Sequence, residues 1–239
     1  MKIALIGYGK MGKEIEKIAT ERGHEIVCRI DVNGTDAFDS DAFRSSEAAI
    51  EFTMPEAAFG NYLKCFRHHI PVVSGTTGWL DKLPQIKEMC QTQGQTFFYA
   101  SNFSLGVNVF FAINKQLAKL MARADGYDVK MTEVHHTQKL DAPSGTAITL
   151  AEGILENLDT KKAWVLANDN AQPTDLQIAA VREGQFPGIH TITYESEVDE
   201  ISIRHNAKSR KGFALGAVLA AEFVRERKGF LGMNDLLNL

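Results

Sequence analysis

The sequence predicts an α/β protein, with a doubly wound parallel sheet followed by a second α+β domain built on an open, mainly antiparallel sheet. Three observations predict it. A glycine turn, Gly7-Tyr8-Gly9-Lys10-Met11-Gly12, separates a strand-like from a helix-like segment near the N-terminus. Short apolar runs then alternate with segments of helical periodicity as far as Ala100. Beyond that, β-rich segments follow one another with short turns, as strands of an antiparallel sheet do.

Taken in order, residues 2–6 form a short run of β-formers, and KEIEKIATERG after the glycines places Ile15, Ile18 and Ala19 at helical spacing. In this strand-turn-helix setting Gly7 serves the tight turn, Gly9 lets a pyrophosphate approach the backbone, and Gly12 allows the helix to pack closely on the strand, the fingerprint of a Rossmann-type domain. The helix start, flanked by Tyr8, Lys10 and Met11, offers unpaired N–H groups and the positive end of a dipole to an anion. The second strand, HEIVCRI, ends at Asp31, roughly 20 residues further on, where a carboxylate accepts hydrogen bonds from the adenosine ribose. Neither Val32 nor Asn33 supplies the cation that a 2′-phosphate requires, while Arg29 and Lys10 lie within reach. The expected cofactor is therefore NADH, with NADPH also admitted.

AAIEFT, PVVSG and TFFYA continue the strands, with helices over 56–68 and 83–93 between them. Ligands of such sheets gather at the carboxyl ends of the strands. The loops there hold Thr53, then Gly75, Thr76 and Thr77, then Ala100, Ser101, Asn102 and Phe103. Any one loop reads as an ordinary turn, but three behind a fingerprint read as a groove for ribose and nicotinamide, with Phe103 packed on the ring. A helix over 107–124, the strand YDVKMTEV, a helix over 144–158 and β-rich segments at 176–182, 190–195 and 197–205 make the second domain. GAVLAAEFVRER closes the chain as an amphipathic helix that returns to the first. Residues 168–172 read as a loop. The expected division is 1–103 with 213–239 for the dinucleotide, and 104–212 for substrate and oligomerisation.

Composition excludes several classes. With 44% hydrophobic and 23% charged residues the chain is a folded, not a disordered, one. A net charge of -4 and no basic stripe argue against nucleic-acid binding. No apolar run is long enough to cross a bilayer, and the N-terminus opens on a strand in place of a secretory signal, so no membrane partner and a cytoplasmic location are expected. Cys28, Cys65 and Cys90 have no paired spacing and read as reduced thiols.

The function rests on EVHHTQKLDAPSGTA, Glu133 through Ala147. Neighbouring residues of a strand point to opposite faces, so His135 and His136 share a pocket only where the chain leaves strand geometry, and Thr137-Gln138 supplies the bend. Lys139 follows at once. Pro143 stops any preceding helix, Ser144 is a good N-cap, and Gly145 and Thr146 fill a first helical turn whose N–H groups await an anion. The stretch reads as a carboxylate receptor with proton donors beside it, the ammonium made more acidic by neighbouring cations. A second pair, His68-His69, ends a helix, where cations suit the dipole, and reads as structural. Adjacent histidines lack the spacing of a helical zinc site, and no third ligand is placed by sequence, so no metal is expected.

These residues resemble the dihydrodipicolinate reductase family. The His-His-x-x-Lys-x-Asp-Ala-Pro-Ser-Gly-Thr block carries the likeness, supported by the glycine turn, Glu51-Phe52-Thr53 with Pro55-Glu56, Gly75-Thr76-Thr77-Gly78, Ser101-Asn102-Phe103-Ser104, and Phe213-Ala214 with Gly216-Ala217. The resemblance implies hydride transfer from NAD(P)H to an unsaturated cyclic dicarboxylate, giving tetrahydrodipicolinate with loss of water. It implies His135 as proton donor or acceptor, Lys139 as the donor completing reduction, His136 as a substrate contact, and Gly145 with Thr146 as the carboxylate site. It further implies a homotetramer built through the sheet domain, and hinges near 101–104 and 211–213. Two departures stand out: the segment from Asp31 to Ser46 is short, and Val32 replaces the Arg or Lys often found after the ribose-binding acid. The rival readings are another two-domain amino-acid dehydrogenase, which would not need the His/Lys/Ser-Gly-Thr block, and a non-catalytic NADH-binding regulator. Arg182, Lys208 and Arg210 carry no assignment from sequence.

Overall fold

The computed structural model describes residues 1–32, 35–168, 170–209 and 211–239. Asn33, Asp169 and Arg210, on which sequence readings fell, lie outside the described residues. The elements run β1 (Lys2–Ile6), α1 (Lys10–Glu21), β2 (Glu25–Ile30), α2 (Asp41–Arg44), β3 (Ala48–Glu51), α3 (Pro55–Arg67), β4 (Val72–Ser74), α4 (Leu83–Thr92), β5 (Thr96–Tyr99) and α5 (Leu105–Met121), with short 3₁₀ turns at Thr35–Asp39 and Leu80–Lys82. They continue with β6 (Asp128–His135), α6 (Gly145–Leu155), β7 (Ala163–Leu166), β8 (Asp175–Arg182), β9 (Gly188–Glu195), β10 (Glu200–Ala207), α7 (Lys211–Val224), β11 (Gly229–Leu231) and α8 (Met233–Leu237). The chain divides into two compact units, Met1–Leu105 with Lys211–Leu239, and Gly106–Arg210.

The first unit is a parallel sheet in the order β11-β5-β4-β3-β1-β2. Strand alternation sorts β1 onto two faces. Ile3 and Leu5 join the apolar faces of α1 and α7, while Ala4 and Ile6 join Tyr62 and Phe66 of α3 and Ile86 of α4. Both faces are thus covered, which is why these strands read as unbroken apolar runs. Gly216 of α7 allows its helix to lie on the Phe103 backbone: a Cβ there would stand 1.8 Å from the Phe103 carbonyl oxygen. The closing helix therefore packs on the first unit's sheet, as its amphipathic pattern predicts. The pattern did not announce β11, three residues that become a strand only by pairing with β5.

The second unit is a mixed sheet in the order β10-β9-β6-β8-β7. Its two longer junctions, β10 with β9 and β9 with β6, are antiparallel, so the mainly antiparallel expectation is met. The junctions β6 with β8 and β8 with β7 are parallel. A parallel pairing requires a crossover connection, and α6 with the chain after it supplies one between β6 and β8. The short-turn rule used on the sequence addresses consecutive strands and is silent on this. Beneath the sheet, α5 and α6 bury Phe110, Ala118, Leu150 and Ile154 against Met131, Ile178 and Ile192.

Candidate active site

In the first unit the three fingerprint glycines do different work. Gly7 has φ +90°, and a Cβ on it would stand 2.0 Å from the Phe52 carbonyl oxygen. A Cβ on Gly12 would meet the Gly7 carbonyl oxygen at 2.3 Å, so Gly12 lets α1 pack on the turn itself. Around Gly9, by contrast, a Cβ finds nothing within 4 Å among the described residues. Gly9 is the N-cap of α1 and brings no side chain to its first N–H groups. Beside it lies a cavity of about 410 Å³ lined by Gly7, Gly9, Asp31, Val32 and Thr53 among others. Asp31 is exposed there and accepts from the Val32 N–H at 3.0 Å; Lys10 is exposed and Met11 half-buried in the first turn of α1. The space, the free helix start and the carboxylate fit a dinucleotide.

Arg29, the nearest guanidinium in sequence to Asp31, is engaged elsewhere. It donates through Nε to Glu16 at 3.1 Å, bonds it again through Nη2, and lies 5.8 Å from the centre of the Tyr8 ring, whose hydroxyl also donates to Glu16. The Arg29 bond holds the Glu16 carboxyl below its ordinary range.

Two of the three loops, those of Thr53 and Thr76, meet at a residue to which the sequence reading gave no role. Glu51, at the end of β3 and fully buried, accepts from Ser74 at 2.7 Å, from the Thr76 hydroxyl at 3.0 Å, and from the Thr53 hydroxyl. The Thr53 N–H in turn donates to the Thr76 hydroxyl at 2.8 Å. Thr53 and Thr76 therefore turn their hydroxyls inward, whereas Thr77 is exposed. A Cβ on Gly75 would stand 2.2 Å from the Phe52 ring. Ala100 is buried, Ser101 is exposed, and the Asn102 side chain accepts from the Ser104 N–H at 2.9 Å. Phe103 corrects the sequence reading. Its ring is 2% exposed, stacked on Phe98 at 5.9 Å and tilted against Phe52 at 5.6 Å, so it is built into the apolar core and only its backbone borders the loop. An acid closing the otherwise apolar strand AAIE was the signal for Glu51.

In the second unit, β6 carries Glu133 and His135 on its buried face, two residues apart. The β6–β9 register sets His190 opposite Glu133, and the β6–β8 register sets Arg182 beside His135. Glu133 is fully buried and accepts from Arg182 Nη2 at 2.8 Å and from the Ser144 N–H at 3.1 Å, with His135 Nδ1 at 3.5 Å and His190 Nε2 at 3.6 Å. Burial works against its charge, but the donors at His190, Ser144 and Arg182 prevail and hold the carboxyl at about 2. Burial also holds the His135 imidazole down at about 4; His190, Lys139 and Arg182 add to this, and Glu133 opposes it.

The strand ends at His135, and the turn at Thr137-Gln138 follows as predicted. His136 is half-buried, its N–H donating to the Phe186 carbonyl at 2.9 Å and its carbonyl accepting from the Lys139 N–H at 3.1 Å. Lys139 departs from the cationic setting inferred for it: its ammonium lies 2.8 Å from both oxygens of Asp141. That contact holds the Asp141 carboxyl below its usual range. Ser144 caps α6 by accepting from the Ala147 N–H at 3.2 Å, and space is open where a Gly145 Cβ would stand. Thr146 is half-buried in the same turn. His68 and His69 end α3, whose last turn also carries Lys64 and Arg67.

Glu133, His135 and His190 bring three potential metal-ligand atoms within 4.8 Å of one another. The Arg182 guanidinium and the Ser144 N–H already occupy that carboxylate, which makes the group a hydrogen-bonded cluster. Sequence reasoning missed Glu133 and His190 and left Arg182 unassigned, because their meeting is set by sheet register. The three cysteines are free and buried, and among the described residues no helix is long and apolar enough to cross a membrane.

The family model for the N-terminus of dihydrodipicolinate reductase matches residues 1–103, and that for its C-terminus matches 106–237. The chain is 51% identical over 238 residues to the 4-hydroxy-tetrahydrodipicolinate reductase of Christiangramia forsetii, covering 100% of this chain and 98% of that one. It is 34% identical over 247 residues to the enzyme of that name from Staphylococcus aureus, covering 99% and 100%. The solved structure of dipicolinate-bound dihydrodipicolinate reductase from Paenisporosarcina sp. TG-14 shares the fold, with a TM-score of 0.76 over 97% of each chain at 23% identity. With both family halves matched in order along its length, the chain belongs to the dihydrodipicolinate reductase family.

Proposed function

We propose that the chain carries out its family's NAD(P)H-dependent reduction in lysine biosynthesis with the residues assembled above. One hydride and one proton enter the doubly carboxylated ring of 4-hydroxy-tetrahydrodipicolinate, its hydroxyl leaves as water, and tetrahydrodipicolinate remains. The observation that carries the reading is the second unit's cluster, where a buried imidazole, an ammonium and a capped helix start lie within one short run of chain. The N–H groups at Gly145 and Thr146 bind one ring carboxylate, His136 contacts the substrate, and His135 and Lys139 deliver protons. The apo value of about 4 for His135 fits a proton donor that charges only when a dianion enters, because nearby negative charge favours imidazolium.

The nicotinamide cofactor supplies the hydride when bound in the first unit. Gly7, Gly9 and the start of α1 hold its pyrophosphate, and Asp31 its adenosine ribose. Preference for NADH is supported by the exposed Val32 next to Asp31 and by the engagement of Arg29 with Glu16. The first unit is the dinucleotide domain; the second binds substrate and forms a homotetramer through its sheet, whose strands leave Leu166, Val181 and Ile201 in solvent. The segments near 101–104 and 211–213 are the hinges, and the enzyme works in the cytoplasm.

The test follows NADH and NADPH oxidation by absorbance, with substrate generated in situ from pyruvate and aspartate semialdehyde by the preceding synthase. Wild type turns over faster with NADH, and His135→Gln and Lys139→Ala each lower kcat by about 10²–10⁴ with cofactor affinity kept. Wild-type rates in both variants overturn the role assignment, and absence of turnover in the wild type overturns the reading.

A further inference from the structure

Glu133 touches no solvent, so it cannot touch a substrate, yet it is linked to His135, to the loop that carries Lys139 and to the start of α6. Arg182 bonds its Oε1 and, with the same Nη2, donates to the Asp141 carbonyl at 2.6 Å, reaching the loop that carries Lys139. The Ser144 N–H bonds the carboxylate at the point where α6 begins, and the Ser144 hydroxyl lies 3.1 Å from His190 Nε2. His135 Nδ1 is buried with no hydrogen-bond partner among the described residues, and Glu133 Oε2 stands 3.5 Å from it. A buried nitrogen left without a partner beside a carboxylate is poised to form that bond once it carries a proton.

We propose that Glu133 is the positioning residue of this site, a single carboxylate that fixes the His135 ring, the Lys139-Asp141 loop and the N-terminus of α6 in one arrangement and receives the Nδ1–H of His135 when the imidazole charges. This rests on the reductase reading and deepens it. With Nδ1 turned toward Glu133, Nε2 is the nitrogen left for the substrate. The groups that face His135 are Glu133 from β6, His190 from β9, Arg182 from β8 and Lys139 from the following loop; Glu133 alone favours the charged ring, and the other three disfavour it. Removing the carboxylate therefore lowers the proton affinity of His135, and removing the guanidinium raises it.

The experiment uses the full-length chain with ¹⁵N-labelled histidine, titrated with and without dipicolinate as the probe, for wild type, Glu133→Gln and Arg182→Gln. The His135 titration moves to lower pH in Glu133→Gln and to higher pH in Arg182→Gln, and the pH profile of kcat/KM moves the same way in each. In Glu133→Gln kcat falls on the order of 10²-fold, the scale of a misplaced acid-base group, while KM for NADH holds. If Glu133→Gln fails to fold, Glu133→Asp, which keeps the charge but draws it back from Nδ1, reads the same coupling as a smaller shift to lower pH. A His135 titration that stays at its wild-type position in the folded variants, with activity reduced only as far as the folded fraction, overturns the proposal. Failure of the wild type to oxidise either NADH or NADPH would overturn the reductase reading and leave the titration to decide the coupling.

Discussion

Glu133 and His190 are cross-strand partners in the β6–β9 pairing, and their carboxylate and imidazole stand 3.6 Å apart in the interior of the second unit. A carboxylate here is tolerable only because charged and neutral donors surround it, and its removal leaves the half-buried Arg182 without its counter-ion. The site's electrostatics therefore originate one layer beneath the residues proposed to meet the substrate.

His135 gives stability a pH dependence. Its folded-state value of about 4 lies below the ordinary 6.5, so between those pH values the unfolded chain binds more protons than the folded one. Stability is complete above about 6.5 and is lost as pH falls toward 4, by at most about 3 kcal/mol from this group. Urea unfolding measured across that window should show the slope, and His135→Gln should flatten it. His205, also held down by burial, keeps part of it, whereas the loss from Glu133 comes lower, between about 4.5 and 2.

Binding of a dicarboxylate should take up a proton. Calorimetry with dipicolinate in two buffers of different ionisation enthalpy should report net proton uptake near neutrality, with affinity rising as pH falls. Equal heats in both buffers would mean that His135 stays neutral in the complex.

The fingerprint glycines should separate fold from binding. Gly12→Ala places a Cβ against backbone and should cost about 2 kcal/mol or more, read as a lower Tm. Gly9→Ala meets open space, so its Tm should stay at the wild-type value while KM for NADH rises about tenfold or more. An unstable Gly9→Ala would assign that glycine to the turn alone.

Freeing Arg29 should relax cofactor choice. Glu16→Gln removes the partner that holds the guanidinium near β2, and the ratio of kcat/KM for NADPH over NADH should rise about tenfold, since a nearby arginine accommodates the 2′-phosphate. The pair is partly exposed, so stability should change by less than about 1 kcal/mol. An unchanged ratio would show that Arg29 does not reach the 2′ position.

The sequence by itself determined whatever depends on neighbours along the chain. Gly7, Gly9 and Gly12 lie within one turn, Asp31 closes the next strand, and Ser144, Gly145 and Thr146 are consecutive at a helix start, so their chemistry is legible as spacing. The tertiary structure alone decided what depends on register and burial. The meeting of Glu133 with His190 and Arg182, three residues on three strands, follows from one antiparallel and one parallel pairing, and the capture of Arg29 by Glu16 joins a strand to a helix. Phe103 reads as a cofactor contact from its loop, yet its ring is core, packed on Phe98 of β5 and on Phe52 beyond the end of β3. Local pattern fixes which groups a segment can offer; only packing fixes which of them face each other and which face solvent.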